Sequence, residues 1–147
     1  MRPSVDVILG RLSASLLTEV APLVSVDYVQ RNLGLVAMLL GFATEEWDRA
    51  VEWRVEENRE IRKVLRESAS VVTDGALRAR LGEAAAGEEG LKVSVLDRAN
   101  DGLRALLIEL HEHVESLDTP AARQVEAAIW SELLASTERR ALSLAPF

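Results

Sequence analysis

Two stretches of this chain share the pattern N-x-x-[IL]-R-x-[VL]-L. The first carries Asn58, Ile61, Arg62, Val64 and Leu65; the second carries Asn100, Leu103, Arg104, Leu106 and Leu107. On a helix, residues four apart share a face, so Asn58 is expected to meet Arg62, and Asn100 to meet Arg104. Each asparagine also shares a stripe with leucine or isoleucine. A buried amide needs hydrogen-bond partners, because leaving one unsatisfied costs about 1–3 kcal/mol. Two matched helices can supply those partners to each other. The pattern then reads as a polar layer that sets helix register, as single asparagines do in coiled coils. Its rivals are coincidence between two Leu- and Arg-rich helices, and a polar pocket for a small ligand. The layer reading makes the two helices neighbours, with Asn58 and Asn100 at similar depth.

Other polar residues stand near this pattern. Glu45, Glu46, Asp48, Glu52, Glu56, Glu57 and Glu60 alternate with Arg49, Arg54 and Arg59. Paired carboxylates can do acid–base work or hold a cation. Most of these face away from the apolar stripe, and Glu45–Arg49 and Glu56–Arg59 have the spacing of helix-surface pairs. Arg54 and Glu57 fall on the stripe, between Ala50 and Ile61. A charge buried without its partner is costly, so the two are expected to pair. The residues a ligand pocket would use are therefore Arg54, Glu57, Asn58, Asn100, Arg104 and His113.

Metal and nucleophile chemistry find less support. Bundle metal pairs need Glu-x-x-His on two helices. The only histidines are His111 and His113, preceded three residues earlier by Ile108 and Leu110. Glu109 and His113 lie one turn apart and are expected to bond to each other. With no cysteine, thiolate ligands, thiol nucleophiles and disulfides are excluded. No G-x-S-x-G elbow or glycine-rich phosphate loop occurs. No catalytic residue, metal or cofactor is expected.

A chain of 147 residues suits one domain spanning 1–147, and a 48% hydrophobic share suits a packed core. Abundant Ala, Leu, Glu and Arg favour helix. A net charge of −7 argues against binding nucleic acid. The most apolar run, residues 33–43, is too short to span a bilayer. Asp6 and Arg11 interrupt the N-terminal apolar stretch, so it does not read as a signal peptide. A cytoplasmic protein follows as the expectation.

Five helical segments are expected. The first runs from Val5 to Val20, capped by Ser4 and ended near Pro22. The second starts at Ser25 and runs towards Ser70 with a buried stripe of Val26, Val29, Leu33, Val36, Leu40, Ala43, Trp47 and Ala50. Unbroken, it would be roughly 65 Å long. It should therefore kink, at Gly34 or Gly41, or project into a partner subunit. A short third segment follows Asp74 to about Ala86, with a turn at 87–90. The fourth runs from Ser94 to Leu117 on Leu96, Ala99, Leu103, Leu106, Leu110, His113 and Leu117. The fifth begins at the Thr119 cap and Pro120 and reaches Leu142 through Val125, Ile129, Leu133 and Ser136. The tail, residues 145–147, is expected to be loose. Four main helices plus one short helix make an all-α bundle.

Residues 33–43 are apolar on every helical face. Such a helix is central or lies at an oligomer interface, and a two-fold homodimer is the commonest solution. The function that best fits is a non-enzymatic bundle acting through protein–protein contacts. Two alternatives stand beside it. One is a small-molecule-binding bundle, or weak enzyme, with its pocket between the second and fourth main segments. The other is an acidic regulatory partner of a basic protein.

Overall fold

The computed structural model describes residues 3–84, 87 and 90–142. Among these every regular element is helical: α1 (Val5–Ser15), α2 (Asp27–Ser68), α3 (Gly75–Glu83), α4 (Val93–Glu115) and α5 (Pro120–Arg140). The all-α bundle with a long second helix is as the sequence predicts. None of the helices is long and apolar enough to cross a membrane. The expected 87–90 turn includes Glu88 and Glu89, which lie outside the described residues, as does the 145–147 tail. Contacts divide the chain into two compact units, residues 1–50 with 142–147, and residues 51–141.

In the first unit, α1 ends five residues sooner than its apolar spacing suggests. Leu16–Val20 widens into a π-turn and Ala21–Leu23 tightens into a 3-10 turn that contains Pro22. Proline has no amide hydrogen, so the regular ladder cannot continue through it. Ser4 holds the N-cap position of α1, but its hydroxyl makes no capping bond. Ser13 Oγ donates to the Ala37 carbonyl at 2.9 Å, and Gln30 Nε2 donates to the Ala21 carbonyl at 3.3 Å. These tie α1 and its turn to the first part of α2.

The α2 helix continues through both Gly34 and Gly41 over 42 residues. Its expected core stripe is displaced. Val26, Val29, Val36, Ala43 and Trp47 are exposed, while Leu33, Leu40 and Ala50 are half-buried. The reason is that α1 covers a different flank of α2, the one carrying Ala37. No residue of α1 is buried.

The second unit holds a true core. Ile61 and Leu65 of α2 pack with Leu77 and Leu81 of α3, with Leu103, Leu107, Leu110 and Val114 of α4, and with Ala122, Val125 and Ile129 of α5. Asp74 caps α3 by accepting from the Ala76 and Leu77 amides. Thr119 caps α5 by accepting from the Ala122 amide, with Pro120 next, as its sequence predicts. The buried stripe of α4 is Leu96, Asn100, Leu103, Leu107, Leu110 and Val114. It is rotated from the expected one, so Leu106 and His113 move to the flank. Neighbours on two sides, α3 and α5, draw the helix to a face between theirs.

Candidate functional site

The polar residues of the second unit converge on Glu57. This side chain is fully buried, with 0% exposure. Its Oε1 accepts from Asn100 Nδ2 at 3.0 Å, Arg104 Nη1 at 2.7 Å and Arg140 Nη2 at 2.6 Å. Its Oε2 accepts from Ser136 Oγ and Arg140 Nε, both at 2.9 Å. One carboxylate thus joins α2, α4 and α5.

The two repeat asparagines complete the layer. Asn100 Nδ2 also donates to Asn58 Oδ1 at 2.9 Å, and Asn58 Nδ2 donates to the Leu96 carbonyl at 3.1 Å. Arg140 Nη2 donates to Asn100 Oδ1 at 3.1 Å. Asn58 and Asn100 are 0% and 5% exposed, at matching depth on neighbouring helices. The repeat therefore pairs between helices, not within them. Arg104 turns to Glu57, and Arg62 Nε donates to the Ala84 carbonyl at 3.1 Å. A buried carboxylate draws a guanidinium more strongly than a neutral amide one turn away does.

Electrostatics follow from this saturation. Burial pushes the Glu57 carboxyl up, but hydrogen bonds from Arg140, Asn100 and Ser136, with the Arg140 charge, outweigh it and hold it at about 2. Five protein hydrogen bonds reach a group with about four lone-pair sites. Nothing is left with which to bind a substrate or abstract a proton. Trp53 closes one side: the Arg140 guanidinium lies 4.6 Å from its ring centroid and that of Arg54 lies 4.1 Å from it.

Comparison with protein families, with curated proteins and with solved structures finds no match.

Of the six sequence-selected residues, Glu57, Asn58, Asn100 and Arg104 meet in this layer. Arg54 departs from its expected pairing with Glu57: its Nε donates to Asp97 Oδ1 at 2.6 Å. His113 stands elsewhere, beside the loop after α2, where its Nε2 accepts from the Thr73 amide at 3.2 Å. The expected Glu109–His113 bond gives way because Arg80 takes Glu109 in a two-bond clamp at 2.6 and 2.7 Å.

Sequence reasoning did not select the α5 members of the site, and reads Ser136 only as a stripe residue. Ser136 and Arg140 bind Glu57, and buried Glu132 is clamped by Arg139. Burial pushes the Glu132 carboxyl up against the pull of Arg139, and nearby Glu57 and Glu60 push the same way. A signal existed: Glu132, Ser136 and Arg140 lie four apart and extend the face of Val125 and Ile129.

A cavity of about 240 Å³ opens between α4 and α5, lined by Leu107, Ile108, Ile129 and Leu133 with Arg104 and His111. It meets the polar layer only through Arg104. An Asn100→Ala variant should lose about 2 kcal/mol, since Asn58 and Arg140 would each be left short of a bond inside the layer. Urea denaturation followed by circular dichroism checks this.

Proposed function

We propose that this chain is a self-associating helical-bundle protein that acts through protein–protein contacts, and that the first unit pairs with the same unit of a second copy. One observation carries the reading: the first unit leaves its apolar seam in water. Val26, Val29, Leu33, Val36, Leu40, Ala43, Trp47 and Ala50 alternate at three and four residues. This is the spacing by which one helix packs against another along a shared seam. Five of the eight are exposed. Tyr28, Leu35 and Leu39 add a second exposed strip.

Val26, Tyr28, Val29, Leu35, Val36, Leu39 and Trp47 are 42–67% exposed. Exposed apolar side chains gathered along one helix mark interaction surfaces. The seam is self-complementary and bears no charge between Asn32 and Thr44, so a two-fold pairing with its own copy brings no like charges together there. Support for a non-catalytic role comes from Glu57, whose protein hydrogen bonds leave no acceptor position for a substrate.

Sedimentation equilibrium at micromolar concentration should give twice the 16.1 kDa chain mass, falling towards the single-chain mass on dilution. A single-chain mass throughout that range overturns the proposal.

A further inference from the structure

We propose that His111, Glu115 and Glu126 form a binding site for one divalent transition-metal ion of the zinc class, at the ends of α4 and α5 that meet through the 116–119 turn. The histidine and Glu115 lie one turn apart on α4, and Glu126 comes from α5. One ligand atom from each residue falls within 4.8 Å of the other two. Zinc bonds of about 2.1 Å set ligand atoms roughly 3.4 Å apart in a tetrahedron, so closure needs shifts of about 1 Å. Glu115 is exposed and Glu126 half-buried, so both have the freedom to make that shift.

The second observation is the state of His111. Its Nε2 is shielded from solvent and makes no hydrogen bond. The nearest Glu115 oxygen stands 3.5 Å away. A buried polar atom without a partner is rare in folded proteins, and a metal ion would satisfy it. The ring is held in place by Trp130, which meets it edge-on with centroids 5.4 Å apart. Trp130 and Glu126 are themselves one turn apart on α5, so one face of α5 both orients the ring and offers the carboxylate.

The donor set selects the metal. One imidazole with two carboxylates suits Zn²⁺ and its neighbours, whereas Mg²⁺ and Ca²⁺ prefer oxygen alone. Three protein ligands leave one tetrahedral position open.

The test uses Zn²⁺ with the full chain. Calorimetric titration should show one ion per chain. The chain has two histidines, so nitrogen-15 spectra of the rings provide an internal control. Zn²⁺ should shift the His111 resonances and leave those of His113 in place. Glu126→Gln and His111→Gln should each weaken binding by roughly tenfold or more, with Glu112→Gln unchanged. Glu126→Gln alters a side chain near the surface, so it remains informative if His111→Gln disturbs packing. No saturable binding, a response at His113 instead, or equal affinity in Glu126→Gln would each overturn the site.

Discussion

Replacing Glu57 by alanine should cost about 3 kcal/mol of folding stability, measured by urea denaturation with circular dichroism. Breaking a buried ion pair by removing one partner costs about 3–5 kcal/mol. The lower end applies because Arg104 and Arg140 are 36% and 40% exposed and can turn to water once the carboxylate is gone. Domains of this size are stable by about 5–15 kcal/mol in total, so the loss is a large share. A change under about 1 kcal/mol would put the layer in the class of surface pairs.

The same group gives a pH signature. The Glu57 carboxyl sits at about 2 in the folded chain against an ordinary 4.5. A depressed folded value means that the folded state holds the proton less tightly than the unfolded one. Its contribution is complete above pH 4.5 and is lost as pH falls from 4.5 to 2. At 1.36 kcal/mol per pH unit the loss is about 3 kcal/mol. Glu132 is shifted the other way, so the comparison must be made against Glu57→Gln, in which this limb of the stability curve should vanish.

The second large effect concerns self-association. Val29→Glu combined with Val36→Glu should raise the dimer dissociation constant about a thousandfold. Both valines are a little over 40% exposed, and covering each contributes about 1 kcal/mol. A two-fold dimer places the pair twice, giving about 4 kcal/mol, or three decades in affinity. Light scattering across a dilution series reads this directly. Far-ultraviolet circular dichroism should stay unchanged, because neither valine belongs to the buried core. A dimer that persists in this variant would place the contact on another face.

The helices of the second unit were legible because their ends carry local chemistry. Asp74 before Gly75, and Thr119 before Pro120, set two helix starts within a few residues. The pairing of Asn58 with Asn100 was legible because a repeated polar position on two apolar stripes has few ways to be satisfied. The choice of arginine was not. Arg140 reaches Glu57 across 83 residues of sequence, and helical periodicity reports only which face is buried, not which guanidinium wins a carboxylate. Trp47 shows the same limit from the other side. Its spacing marks it as core stripe, yet it is 59% exposed, because periodicity reports a repeating face and not whether a neighbouring helix covers it.

That α1 buries none of its residues has a consequence for how the chain lives at low abundance. Hydrogen-exchange protection tracks buried contacts, so α1 amides should exchange early while the α4 and α5 amides hold out. Proteases cut where the backbone opens, and residues 16–26, with their mixed turns, are the natural point of attack. The proposed self-association would oppose that opening by mass action. Copies above the dissociation constant would be spared and solitary ones trimmed, so cellular turnover would itself report whether each chain had found its mate.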